Sequence, residues 1–166
     1  MAEDTTAPSA IRIRLATLAD VRQIAALAEQ HRRDYEPHQP VFWRVAADAT
    51  ARHEPYLARQ LSHSDALAFV HQSGDAIDAF IIGQITSAPP VYDPGGPVCV
   101  VDDFVVADAA RWHDVGSALL QHVETVARQE RGCVVVIVVC GDHDKPKQAM
   151  LHRDGGQIAS QWWIKQ

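Results

Sequence analysis

The stretch from Val101 to Leu120, VDDFVVADAARWHDVGSALL, holds the residues best suited to chemistry. An apolar strand pattern ends in a short turn, and Arg111 to Gly116 lead into a helical pattern. The first N–H groups of a helix lack intrahelical acceptors and carry the positive end of the helix dipole. Such a turn is a seat for a phosphate or pyrophosphate, with Arg111 as a cationic partner. Helix starts after strands are common and Gly116 is the only glycine of this turn, so an ordinary strand–helix connection is the competing reading. Two adjacent acids, Asp102 and Asp103, interrupt the apolar run Val98–Val106. Strand alternation puts them on opposite faces, so at most one faces a given cleft. The plain alternative is a solvated pair near a strand end.

Nine histidines raise the question of a metal. None forms an H-x-H or H-x₃-H set, and no H-E-x-x-H occurs, so no metal is expected. His143 between Asp142 and Asp144 imitates an oxygen and nitrogen ligand set, but a solvated loop is the simpler reading. His122 lies on an apolar helix stripe and reads as a core residue. The three cysteines, Cys99, Cys133 and Cys140, sit in or beside apolar runs without a C-x-x-C pair, and read as buried reduced thiols.

The elements that must position these residues follow from periodicity. Ile11 to Leu15 alternates like a strand. Thr17 and Asp20 resemble a capping box, and Val21, Ile24, Ala25, Leu27 and Ala28 then recur at helical spacing. Residues 33–43 carry two prolines and three aromatics and read as a structured loop. A second helix follows around Ala49 to Leu61, with Pro55 starting a new helix or kinking the old one. Leu67 to His71 and Ala76 to Ile85 form a hairpin about Ser73, Gly74 and Asp75. A proline- and glycine-rich loop leads to the strand Val98 to Val106. Val115, Ala118, Leu119, His122, Val123, Val126 and Ala127 mark an amphipathic helix stopped by Gly132. Cys133 to Cys140 has no alternation, the mark of a strand covered on both faces in a parallel pair. A short helix over 145–153 and a last strand over 157–164 complete an α/β layer with a mixed sheet. Trp162 and Trp163 point to opposite faces of that strand, one of them into the core.

The chain has 166 residues, 47 % hydrophobic and 22 % charged. That is one domain, 11–166, behind a loose tail at 1–10, long enough to bury about two-thirds of its unfolded surface. With 15 Lys and Arg against 21 Asp and Glu, the net charge is −6. This disfavours a general grip on nucleic acid and favours cationic partners. The longest apolar run, Cys133 to Cys140, falls far short of the roughly 20 residues of a membrane helix. The N-terminal residues are polar without the apolar centre of a leader, so a cytoplasmic protein is expected.

Taken together, these motifs resemble the GCN5-related N-acetyltransferase (GNAT) superfamily. Its acetyl-CoA loop reads V-x-P/D-x-x-R-G-x-G-x-G. Val106, Asp108, Arg111 and Gly116 fall in register without gaps, followed by Ser117, Ala118, Leu119 and Leu120. Two loop glycines are replaced, by Trp112 and Asp114. The first brings a side chain towards the pyrophosphate; the second brings a negative charge, unless it serves as a helix N-cap. Asp102 to Val106 is similar to the E-D-F-F-V strand of the diamine and polyamine branch. Asp144, Pro146, Met150, Leu151 and Gly155 fit that branch's N-x-P-x-x-x-F-Y-x-x-x-G.

The resemblance implies a single-domain α/β fold: a mixed, mostly antiparallel sheet with a central parallel strand pair and helices on both faces. It also implies transfer of an acetyl group from acetyl-CoA to an amine, a small cationic amine or an aminoacyl or lysine amine. The fourth and fifth strands splay, with the pantetheine arm lying between them. The cofactor side comprises the backbone of Phe104, Val105 and Val106, the turn Arg111, Trp112, His113, Asp114, Val115, Gly116 and Ser117, and then Asp144 and Lys147. Asp102 is the first candidate base and Asp103 the second. The tyrosine that protonates the departing thiolate in the family is here Leu151, leaving His152 as the substitute acid. Tyr35, Trp43 and Tyr92 are implied to wall the acceptor pocket, and a homodimer fits the family. The lost glycines and Leu151 keep open a non-catalytic acyl-CoA-binding module of the same fold. A plain scaffold that binds no CoA is the third reading.

Overall fold

The computed structural model describes residues 11–166; the tail expected at 1–10 lies outside the described residues. Five strands and four helices follow one another as β1 (Ile13–Leu15), α1 (Val21–Tyr35), α2 (Ala49–Leu61), β2 (Ala66–Ser73), β3 (Ala76–Thr86), β4 (Val98–Val106), α3 (Val115–Gln129), β5 (Val135–Val138) and α4 (Lys145–Arg153). The strands lie side by side in chain order. All neighbours are antiparallel except β4 and β5, which run parallel.

Each face of the sheet carries its own core. Leu67 and Phe69 of β2 and Ala79 and Ile81 of β3 pack towards α3 and α4, meeting Val115, Leu119, Val123 and Met150. Their neighbours Ala68, Val70, Phe80 and Ile82 pack towards α1 and α2, meeting Ile24, Ala28 and Leu57. This is the period-two alternation of a sheet covered on both sides. Each fully buried large apolar side chain, such as Phe80, Phe104 or Leu57, contributes roughly 1.5–3 kcal/mol.

Strand β4 departs from strict alternation at one place. Cys99 and Val101 face the α3 core, but so do Phe104 and Val106, while Val105 faces the α1 core. The odd-to-even switch is a β-bulge: Gly83 pairs with Val101 and Ile82 with Asp103, leaving Asp102 without a partner on β3. Gly83 sits where a Cβ would meet the Cys99 sulfur at 2.7 Å, so a side chain there would force that thiol to move.

Asp20 holds the start of the first helical segment. Its carboxylate accepts from the Thr17 backbone N–H at 2.7 Å and binds Arg14 through two 2.8 Å contacts. Bonded by Arg14, and then by Thr17 against the cost of burial, the carboxyl falls to a pKa of about 2. That stability is complete above about pH 4 and is lost as pH falls through 2. Asp20→Ala is therefore expected to cost about 1–2 kcal/mol near neutrality. Urea unfolding of the two proteins should converge as pH is lowered from 4 to 2.

Four sequence expectations are corrected. Helix α1 runs on to Tyr35, so the loop expected from residue 33 begins later. Residues 157–164 pair with no strand; Trp162 and Trp163 are both exposed, at 75 % and 84 %, so neither is a core residue. Strand β5 is then the last of the sheet, and Val135 and Ile137 remain exposed rather than covered on both faces. His122 is exposed as well, with only its ring edge against Phe69. Cys99 and Cys133 are buried, Cys140 is half-buried, and all three are free thiols.

Candidate active site

The site is built around the place where β4 and β5 separate. The two strands pair only from Val98 to Val101 and Val135 to Val138, flanked by bonds from Val134 N–H to the Pro97 carbonyl at 2.9 Å and from Val139 N–H to the Val101 carbonyl at 2.8 Å. Beyond the bulge, β4 continues to Val106 alone on that side. Backbone groups alternate between the two edges of a strand. Ala107 donates to Asp78 on the β3 side, and the Phe104 carbonyl accepts on the other. Phe104 and Val106 thus turn their N–H and C=O to the gap; the Phe104 carbonyl is held by Lys147, and the N–H groups are left for an extended amide chain to join.

Lys147 closes the bottom of this gap. It stands in the first turn of α4, is 1 % exposed, and its ammonium donates to the Phe104 carbonyl (3.3 Å) and the Val139 carbonyl (2.9 Å). It also lies 5.1 Å from the Phe104 ring centroid and 5.6 Å from that of Trp112. Burial pushes its pKa below the ordinary lysine value. Leu151, one helical turn on, packs against the same core, whereas His152 is exposed. Lys147 and Leu151 thus share a face of α4 that His152 does not.

The two aspartates part at the bulge. Asp102 is exposed; Asp103 is partly covered on the α1 and α2 side. Burial, and next the charge of Asp102, push the Asp103 carboxyl up to about 6, against the opposing charges of Lys147 and Arg32. A carboxylate poised there is suited to take a proton near neutral pH.

The turn after β4 differs from its expected form. Trp112 is 3 % exposed and its ring lies at 4.8 Å from that of Phe104, so the side chain fills the core instead of crowding the anion seat. That ring also explains Gly116, where a Cβ would meet it at 2.7 Å. Asp114 caps α3, accepting from Val115 N–H at 2.6 Å. Arg111 is shared between Asp114 and Asp78, 3.2 Å from each, and Asp78 in turn contacts the buried His71 at 2.5 Å. Ser117 is tied to Asp154 and Arg153, and His113 is exposed. The helix start and its arginine are therefore already neutralised by carboxylates of the chain.

The α1–α2 connection folds over the end of β5. Tyr35 stacks on His31 and Trp43, meets His143 edge-on at 4.2 Å, and donates to Asp144 at 3.4 Å. Burial holds His31 near pKa 4, so it is neutral at physiological pH. Asp144 caps α4 by accepting from Lys147 N–H. Tyr35, Trp43, Asp144 and Lys147 are thus brought together. Tyr92 is 72 % exposed in the loop before β4, and its ring meets no other aromatic ring among the described residues.

Sequence spacing does not single out a further group. An open groove of about 600 Å³ runs between α1 and α2, lined by Arg32, Arg52, His53, Pro55, Tyr56 and Arg59 among others. Arg52, Tyr56 and Arg59 recur at helical spacing, the one signal present in the sequence. Among the described residues, no group of three or more His, Cys, Asp or Glu is placed to hold a metal, and no helix is long and apolar enough to cross a membrane.

Known proteins share this architecture. A mutant of the BH1408 protein from Bacillus halodurans superposes with a TM-score of 0.81 at 14 % identity, over 93 % of this chain and 98 % of that one. A predicted acetyltransferase from Clostridium acetobutylicum, solved with acetyl-CoA, gives 0.72 at 14 % over 94 % and 96 %. Ribosomal-protein-alanine N-acetyltransferase from Brucella melitensis gives 0.66 at 16 % over 95 % and 99 %. At these identities the likeness is one of fold. No curated protein sequence matches. The model of the acetyltransferase (GNAT) family matches residues 24–155, from the first helix through the parted strands to the end of α4, and the chain belongs to that family.

Proposed function

We propose that the protein is an N-acetyltransferase that moves an acetyl group from acetyl-CoA to an amine. The observation that carries this reading is the open edge of β4, with Asp103 on the strand and Lys147 at the foot of the gap. Acetyl-CoA, when bound, supplies an activated acetyl thioester. The N–H groups of Phe104 and Val106 are suited to hold the thioester carbonyl and stabilise charge on its oxygen. Asp103 takes the proton released by the amine nitrogen as its bond to the acetyl carbon forms. Lys147 gives a proton to the sulfur as the carbon–sulfur bond breaks. Burial lowers its pKa from the ordinary lysine value, which eases release of the proton. It stands in for the tyrosine that Leu151 replaces. Tyr35 and Trp43 wall the acceptor side.

A panel of amines tests the reading by thiol release, alongside calorimetry with acetyl-CoA. Amine-dependent release supports the enzyme. Binding without turnover of any amine favours the acyl-CoA-binding module, for which the carboxylate already capping α3 speaks. Asp114→Gly addresses that carboxylate directly. It removes an anion from the phosphate seat and frees Arg111 from one of its two carboxylates, leaving Asp78. Acetyl-CoA should bind about two- to fivefold tighter, the scale of one charge at a helix end. Stability should fall by only a few tenths of a kcal/mol. Weaker binding in calorimetry would show that Asp114 assists the ligand.

A further inference from the structure

We infer that the acceptor amine also carries an anionic group, a carboxylate or phosphate, held by the arginines of the α1–α2 groove. The inference rests on the acetyltransferase reading and names the substrate class of the same site.

The protein is acidic overall, with a net charge of −6, yet this groove is lined by three arginines and by no aspartate or glutamate. Their states differ. Arg52 is paired with Asp48 at 2.6 Å. Arg59, one turn beyond Tyr56, has no carboxylate within 4 Å among the described residues, and neither has Arg32. Arg32 donates from Nη1 to His53 Nδ1 at 3.1 Å. Burial, and next the charge of Arg32, hold His53 near pKa 4, so it is a neutral partner and leaves the guanidinium uncompensated. The remaining Arg32 donors, Nε and Nη2, are buried without any hydrogen-bond partner. These two atoms form one edge of the guanidinium, the fork that matches both oxygens of a carboxylate or phosphate. A charged donor pair left unmade is costly, so rotation of Arg32 into the groove towards an anion is favoured.

The groove also adjoins the reaction centre. Asp103 lies on the face of β4 whose Val105 packs with Ile24 and Ala28 of α1 and Leu57 of α2, the helices that flank the groove, and its carboxyl senses the charge of Arg32. An amine directed to Asp103 and an anion directed to Arg32 and Arg59 describe one zwitterionic ligand. At about 600 Å³ the groove has the size of a small-molecule site. Pro55 lacks the N–H that would bond the Ala51 carbonyl, and both residues line the groove, so that carbonyl loses its helical partner there.

Matched substrates test this with the full chain and acetyl-CoA. Lysine, β-alanine and 4-aminobutyrate are compared with cadaverine and with the carboxamides of the two shorter acids, and phosphoethanolamine with ethanolamine. The anionic member of each effective pair should show at least tenfold higher kcat/KM. In Arg59→Gln and Arg32→Gln that preference should shrink towards one, mainly through KM. A preference for carboxylate over phosphate, or the reverse, identifies the source of the anion. Calorimetry with the same amines in the presence of CoA reads the site without turnover. Arginine-dependent binding without thiol release upholds the anion site while the acetyl-transfer reading falls. Members without the anionic group, monocationic or dicationic, bound or turned over as well as the anionic ones overturn the inference. A preference untouched by both arginine substitutions, or no binding of any anionic amine, does so too.

Discussion

Replacing Lys147 with methionine is expected to lower kcat about 100-fold or more, the contribution of a positioned acid. The stem of methionine keeps the packing against Phe104 and Trp112, but the ammonium that bridges the Phe104 and Val139 carbonyls is gone. Those carbonyls then lack a partner, at about 1–3 kcal/mol for each that water does not reach. Relief from burying a charge offsets part of this, so a folded variant is expected, checked by near-ultraviolet circular dichroism. The chemical role is separated from the structural one by the leaving group. An acetyl thioester of a more acidic thiol needs less help to depart. It should therefore recover much of the lost rate in Lys147→Met while changing the parent little. An equal loss with every thioester would assign the lysine a purely architectural part. His152→Ala, on the exposed side of α4, should leave the rate near that of the parent.

Asp103→Asn should be as damaging, by about 10²- to 10⁴-fold in kcat/KM, because asparagine keeps the shape and cannot take a proton. The parent's pH profile supplies the sign. A base works when ionised, so with the Asp103 pKa near 6 the rate should be low in acid and rise through about pH 6. In Asp103→Asn that limb should disappear. Asp102→Asn makes a sharper test, since the Asp102 charge helps to raise the Asp103 pKa. Its removal should move the limb to lower pH and leave the plateau high. A limb unmoved by either substitution would take both aspartates out of the proton path.

Local periodicity carried the sequence far where each element answers to its own residues. The bounds of β4 and α4 follow from composition alone, and the stripe from Val115 to Ala127 reports the face of α3 that meets the sheet. What depends on a neighbour was hidden. Alternation says that at most one of Asp102 and Asp103 faces the cleft and does not say which; the bulge that exposes the first and covers the second exists only in the pairing with β3. Trp112 reads as an intruder in a glycine loop, since nothing local says that its ring turns inward to Phe104. Residues 157–164 alternate like a strand yet find no edge to join. Lys147 stands one turn before Leu151 in the sequence, but its role depends on two carbonyls from distant strands. Arg32 and Arg59 are separated by a whole helical hairpin, so their shared groove has no sequence signature.

The bulge in β4 has a consequence for how such a strand can change over generations. One extra residue works as a frameshift in side-chain phase: upstream of Asp102 odd positions serve the α3 core, and downstream even positions do. The upstream half is locked to β5 and must stay apolar and well packed. The downstream half, released from that phase, keeps an open edge and an acid on the far face without sacrificing a core position. Framework and chemistry thus lie on one continuous strand under separate selection. Substitutions that retune the acid or the open edge need not disturb the pairing of Val98–Val101 with β5.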